Sequence, residues 1–537
     1  MHRALVAHPQ PADWAHRLIV SITLGLAAFS GQIQAQPPGS TPAIEATQIE
    51  QAVAALDALA PDLLQRSGVP GMAIAVVGAD RVYYSRGFGV RDIDNLEPID
   101  TETIFQLASL SKPLSSTIVA GVVGDGAISW ETTVSPRVPE LKLASPSITD
   151  MVTIGDLLAH RSGLPDHAGD LLEDLGFTRE QILPRLQFLP LAPFRASNHY
   201  TNMGYTAGAL AAARAVGLGW PELAEQQLFD RIGMSRSSYR FVDYILDPNH
   251  ASLHAYVDGQ YLPLYERNAD AQAPAGAASA SINDMARWLQ LQINGGLVDG
   301  APIIDPEALL QTQIPQSISH LPEQADQRAG FYGYGWNVGY DDLGRTRLNH
   351  SGAFMLGAAT TVTVYPGEGI GIVVLTNGAP YGLAETTAAS FFQLLFEGEA
   401  DPNLLDLFFQ RLAALWAEER DFMRDYSQPP LDPTPPLRNN RYGGLFSNPY
   451  YGLLVVAEHA NRLMLWLGPQ MMAFPLSPWD GNLFVFETTG ENAVGLSGAE
   501  FHLDDEGQVS AVTLERYNKF GQGRFERLIN TPLFGGW

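Results

Sequence analysis

The chain holds 537 residues, with 58 acidic side chains against 32 Lys and Arg, a formal net charge of −26, and no cysteine. A single hydrophobic core rarely grows past about 250–300 residues, so more than one domain is expected. The charge repels nucleic acid and anionic lipid, and the missing cysteines exclude disulfides, thiolate nucleophiles and zinc–thiolate sites. At 46% hydrophobic and 17% charged residues, the composition also excludes intrinsic disorder.

Arg3 and Arg17 flank the start of the chain, and an apolar run follows at 18–30, of signal-peptide length and short for a bilayer span. Ile33, Gln34 and Ala35 form a cleavage site, so residues 1–35 read as an export signal with mature chain from Gln36. A periplasmic or secreted protein is expected, with no membrane span after cleavage. Residues 44–64 have helical periodicity, and 71–77 and 81–89 are short β-rich runs joined by a turn. Residues 109–123 read as a buried helix of small and apolar residues. From about 150 to 300 the chain is mostly helical, with loops at Gly163, Leu164 and Pro165 and at Pro193.

Between 332 and 377 the pattern turns to strands, with 358–365 and 370–376 among them, and 384–396 and 404–423 return to helix. Strands at both ends bracket a helical middle, so distant strands must pair. The expectation over 36–426 is an α+β core with a helical insertion, and a groove between two such lobes is a common active site. Residues 428–437 carry five prolines in ten, a stiff extended spacer within a linker at 427–439. Beyond it, 440–537 alternates and breaks often at Gly, Asn and Asp. Short strands at 453–457, 462–467, 483–487 and 511–516 point to a small β-barrel or sandwich. Its aromatics, Tyr442, Phe446, Tyr450, Tyr451 and Trp466, either line a ligand cavity or fill a core, and the domain is placed to cap a groove.

No Gly-x-Ser-x-Gly elbow, P-loop, His-Glu-x-x-His or Rossmann fingerprint is present. His160, His167 and His199 are too dispersed to claim as metal ligands. Only three lysines occur, Lys112, Lys142 and Lys519. Lys112 follows Ser109 by three residues, which places both on one helix face with Cβ atoms about 5–6 Å apart. A serine hydroxyl is a weak nucleophile until a base takes its proton, and a lysine depressed by burial can be that base. Phe105, Leu107, Ala108, Leu110, Pro113 and Leu114 supply apolar flanks. Ser-x-x-Lys alone is a weak motif, but two others follow it. Tyr200 and Asn202 lie on a polar loop, where the tyrosine could relay protons and the asparagine could orient Lys112 or hold a substrate carbonyl. His350, Ser351 and Gly352 lie between two strand runs. There the glycine permits close approach, the Ala353 amide pairs with that of Ser109 as an oxyanion hole, and His350 contacts substrate.

These three motifs, in this order, resemble those of the serine β-lactamase-like and penicillin-binding hydrolases. The nearest branch is the class C β-lactamase, D-Ala-D-Ala carboxypeptidase and family VIII esterase group. The stretch Ile154 to Pro165, Ala275-Gly276, and Ser281 to Met285 match as well, mainly as scaffold, and the resemblance covers about 45–400. Tyr442 to Phe446 and Tyr450 to Gly452 are similar to a lipocalin-like β-domain found in some members. The resemblance implies an antiparallel sheet flanked by helices, a helical lobe and a C-terminal all-β barrel-like domain. It implies that Ser109 forms an acyl-enzyme, that Lys112 and Tyr200 share acid and base work, and that Asn202, His350, Ser351 and Gly352 bind substrate. It implies no cofactor and no metal, and a small-molecule or peptide substrate. His350 stands where class C β-lactamases carry lysine, so a group titrating near neutrality replaces a permanent cation. Histidine at this place is seen in peptidase-like members, so the resemblance implies amide or peptide hydrolysis, with carboxylesterase or weak β-lactamase activity, or a penicillin-recognising sensor without turnover, as alternatives.

Overall fold

The computed structural model describes residues 44–418 and 420–529. The expected export signal, 1–35, lies outside them. Among the described residues no helix is long and apolar enough to cross a membrane.

An eight-stranded antiparallel sheet organises the first part of the chain. Its strands are β1 (Gly71–Gly78), β2 (Val82–Gly89), β3 (Ser317–His320), β4 (Gly330–Tyr332), β5 (Asn337–Tyr340), β6 (Thr346–Phe354), β7 (Ala358–Tyr365) and β8 (Ile370–Thr376). Their spatial order is β2-β1-β8-β7-β6-β5-β4-β3, so the amino-terminal hairpin pairs with β8 from 300 residues downstream, Met72 facing Thr376. This is the pairing of distant strands that the α+β reading requires.

The two-residue period of a strand sorts β1 into two cores. Met72, Ile74 and Val76 face helices α1 (Ala46–Ser67) and α6 (Leu383–Phe396), together with Ile372 and Val374. Ala73, Ala75 and Val77 face the opposite side, where α5 (Ile282–Ile293) and the helical lobe pack. Burial on both faces makes every residue of β1 and β8 buried, which is why these strands read as unbroken apolar runs. The helical lobe includes α2 (Ser111–Gly124), the five-residue α3 (Asp170–Asp174) and α4 (Asn202–Ala215), and α4 packs on α2. The helix expected at 109–123 begins instead with a 3₁₀ turn, Ala108–Leu110, before α2 takes over.

Residues 444–529 form a closed barrel of eight antiparallel strands, from Gly444–Asn448 to Arg524–Ile529. Its strands alternate, as in Arg462–Leu467, where Leu463, Leu465 and Leu467 are buried and their neighbours are not. Closure removes the exposed edges that an open sheet of this size would carry. Tyr442, Phe446, Tyr450 and Tyr451 are buried, and Tyr442 lies 4.8 Å from both Phe484 and Phe501 between ring centroids. These aromatics fill the core rather than line a cavity, and Trp466 is only half-buried on the other face of its strand. The proline-rich segment is pinned to the barrel: Thr434 N–H donates to Asp480, Gly481 N–H to the Thr434 carbonyl, and the Tyr426 hydroxyl to Glu515. One apolar cluster runs from the sheet through the helical lobe into the barrel.

Candidate active site

The site begins where the chain enters α2. Ala108 holds a left-handed backbone at φ 48°, an uncommon conformation for a residue with a side chain. Of residues 103–122, Ser109 alone is not buried. Lys112, one turn on, is 0% exposed. Because α2 is covered all round, the lysine cannot extend to water, as long cationic side chains usually do.

The Lys112 amine meets three neutral oxygens. Nζ lies 3.0 Å from Ser109 Oγ, 2.7 Å from Asn202 Oδ1 and 3.0 Å from the Ala275 carbonyl. Burial drives its pKa well below the usual lysine value, opposed by the negative charge of Asp170. A neutral amine keeps two donors and gains one lone pair. Donation to Asn202 and Ala275 then leaves the lone pair for the Ser109 hydroxyl. The ring of Tyr200 lies 4.4 Å from Nζ, and the Tyr205 hydroxyl donates to the Lys112 carbonyl at 2.6 Å, fixing the turn itself.

Tyr200 is buried, and its hydroxyl makes no hydrogen bond of normal geometry among the described residues, although Ser109 is near enough to stabilise its phenolate form. Burial nevertheless raises the Tyr200 pKa strongly. The stretch expected to be scaffold shapes the loop that carries it. Asp166 accepts from Tyr200 N–H at 2.7 Å, His167 N–H donates to the Tyr200 carbonyl at 2.8 Å, and Thr201 N–H donates to His160 Nδ1 at 3.2 Å. The His160 ring lies 4.5 Å from Tyr200 and 4.9 Å from Tyr332, and burial holds its pKa well below the usual value. Asn202 opens α4, and its Nδ2 donates to Asp170 at 2.8 Å.

Strand β6 forms the other wall. A Cβ added at Gly352 would lie 2.2 Å from the Leu107 carbonyl and 2.8 Å from the Leu110 nitrogen. Only a residue without a side chain lets this strand approach the Ser109 turn. Ala353 follows and is exposed.

Two expected roles on this strand change. His350 is 1% exposed, with one ring nitrogen 3.0 Å from the Tyr332 hydroxyl and the other 2.8 Å from the Ser351 carbonyl. Burial, with the nearby charge of Lys112, pushes its pKa down to about 3, so it is a neutral wall residue, not a group titrating near pH 7. Ser351 points to the opposite face of the sheet, where its hydroxyl meets Thr361 at 3.0 Å and lies near Glu385 on α6. It does not join the cluster around Ser109.

The structure thus gathers Ser109, Lys112, Tyr200, Asn202, His350 and Gly352. It adds Asp170, His160 and Tyr332, which no sequence signal marked, save that His160 lies in the matched 154–165 stretch. Among the described residues no group of three or more His, Asp or Glu side chains is placed to hold a metal ion.

Comparison with known proteins accords with this geometry. The family described as Beta-lactamase matches residues 56–390, and one described as Domain of unknown function (DUF3471) matches 428–527. Unguisins hydrolase ungD of Aspergillus violaceofuscus is 27% identical over 42% of this chain, a match that spans only 42% of that protein's own length. Penicillin-binding protein 4 of Amycolatopsis lactamdurans is 26% identical over 61% of this chain and 84% of its own. The octameric penicillin-binding protein homologue from Pyrococcus abyssi superimposes over 88% of this chain and 99% of its own, with a TM-score of 0.56 and 20% identity, a likeness of fold.

Proposed function

This chain belongs to the Beta-lactamase family, and on that premise we propose that it is a serine hydrolase that opens amide or peptide bonds through an acyl-enzyme on Ser109. The observation that carries the reading is a fully buried lysine, ringed by neutral oxygens, 3.0 Å from the one half-open residue of its segment.

Lys112 in its neutral form takes the Ser109 proton as Oγ attacks the carbonyl carbon. Charge collects on the carbonyl oxygen, facing the backbone amides of Ser109 and Ala353. The leaving nitrogen takes a proton, with Tyr200 as the relay, and the carbon–nitrogen bond breaks. Water then attacks the ester carbonyl, its proton passing to the same base, and releases the acid and the free serine. His350 supports amides over β-lactams, since a neutral imidazole gives a β-lactam carboxylate no cation at the place where class C enzymes carry lysine. The apolar run at 18–30 supports export to the periplasm or beyond, which N-terminal sequencing of the mature protein tests.

The decisive experiment treats one portion of purified protein with a fluorophosphonate or a labelled penicillin, and assays an untreated portion with D-amino-acid amides, short peptides, p-nitrophenyl esters and a cephalosporin. A single adduct on Ser109 and faster turnover of amides than of the cephalosporin are expected. An unmodified Ser109 overturns the reading, and a long-lived penicillin adduct without turnover moves it to a sensor.

A further inference from the structure

Helix α3 has only five residues and a carboxylate near the site at one end and near the barrel at the other. Asp170, 3% exposed, accepts from Asn202 Nδ2 at 2.8 Å and lies 2.9 Å from His167 Nδ1. An amide has one donor end and one acceptor end. A carboxylate against Nδ2 therefore turns Oδ1 toward Lys112, which it meets at 2.7 Å. With the amide reversed, its NH₂ would face the lysine and compete for the lone pair that must receive the Ser109 proton.

The barrel grips the same helix at both ends. Gly169 N–H donates to the Tyr450 hydroxyl at 3.1 Å. Asp174 accepts from the backbone N–H of Glu491 at 3.0 Å and of Asn492 at 2.9 Å, and from Asn492 Nδ2 at 2.9 Å. The approach is close: a Cβ at Gly490 would lie 2.6 Å from the Asp174 carboxyl carbon, and one at Gly468 would lie 2.4 Å from the Leu175 carbonyl. The barrel loop that holds Asp174 also reaches the other wall, where the Glu491 carboxylate accepts from Met355 N–H at 2.6 Å, just beyond β6. A five-residue helix has too few internal hydrogen bonds to hold its own position, so it depends on its neighbours: Glu173 accepts from Arg267 at 2.7 Å on the lobe side, and the barrel holds both ends of the segment that carries Asp170.

We propose that the barrel is a working part of the catalytic apparatus: it fixes α3, and through it Asp170 acts as a positioning residue that aims Asn202 at Lys112. This rests on the acyl-enzyme reading, but its test does not depend on turnover alone. With three lysines in the chain, ¹³C,¹⁵N-lysine labelling of the full-length protein gives three side-chain signals, and Lys112 is identified by its loss in Lys112→Arg.

Asp170→Asn is expected to move the Lys112 signal, to lower the pH at which it titrates, and to reduce kcat by up to about 100-fold with KM little changed. Tyr450→Phe with Asn492→Ala touches no group of the site and should shift Lys112 and kcat in the same direction by less. An unchanged Lys112 titration and kcat in folded Asp170→Asn overturns the positioning role. A wild-type Lys112 signal and kcat in the barrel double variant overturns the barrel's part. If Asp170→Asn fails to fold, the barrel variant decides the matter. Retained turnover in Ser109→Ala instead sinks the acyl-enzyme reading and leaves the lysine titration to judge the positioning.

Discussion

Two buried ionisable groups in the helical lobe meet opposite fates. Asp156 is 0% exposed, and its carboxylate is held by Arg161 Nε at 2.8 Å, Arg195 Nη2 at 2.8 Å and Thr153 N–H at 3.1 Å. Those partners outweigh desolvation and lower its pKa, so it stays charged. Lys112 is equally enclosed but touches only neutral oxygens, and its nearest carboxylate, Asp170, is separated from it by Asn202. Its charged form is disfavoured, and the free amine becomes accessible. Burial with counter-charge keeps a group ionised, whereas burial with the counter-charge one residue removed favours the neutral amine that the proposed mechanism needs.

The contrast can be broken most forcefully at Ser109. Ser109→Ala should lower turnover by about 10⁴-fold or more with an unchanged circular dichroism spectrum, because the acyl-enzyme has no other oxygen on which to form. Lys112→Arg comes next: a guanidinium stays protonated, so kcat should fall by about 10²–10⁴-fold while substrate binding survives. Asp156→Asn should do the reverse. It should cost about 2–3 kcal/mol in denaturant melts, less than a wholly enclosed pair because Arg195 is 45% exposed, and leave kcat per folded molecule near wild type. Equal loss of kcat in the two variants would erase the distinction between scaffold and base.

Smaller effects sharpen it. Gly352→Ala should push β6 off the Ser109 turn, costing about 1–3 kcal/mol and roughly tenfold in rate, read from melting and kcat together. The rate should rise with pH through the depressed Lys112 value, since only the neutral amine accepts the proton, and His350→Gln should leave that limb in place. His350 enters through stability instead. Its folded pKa is about 3 and the unfolded value about 6.5, so between them the unfolded chain binds more protons. Stability is therefore lost as pH falls below about 6.5, and His350→Gln should flatten the slope of Tm against pH over that window.

Much of this could be read along the chain, for reasons that differ by residue. Lys112 stood out because a lysine amid Leu107, Leu110 and Leu114 contradicts its own solvation. Gly352 was marked by the need for close backbone approach. Strands β1 and β8, buried on both faces, were plain as apolar runs. The barrel strand Met472–Asp480 escaped notice because Pro475 and Pro478 interrupt it, and proline argues against a strand in any isolated reading. Asp170 carries no local signal: one acidic residue in the first turn of a short helix is ordinary until folding sets it against Asn202. His350 was expected near neutrality because its burial and its Tyr332 partner arise only when the sheet sets β4 and β6 on either side of β5.

The half-open position of Ser109 in a sealed segment has a practical side. The chain has no cysteine, so Ser109→Cys would install its sole thiol at this half-open position. Alkylating reagents of graded bulk would then gauge the width of that entrance by rate alone, with no substrate in hand and no competing thiol elsewhere. The same handle would report, through a change in those rates, whether the barrel's grip on α3 narrows or widens the way in.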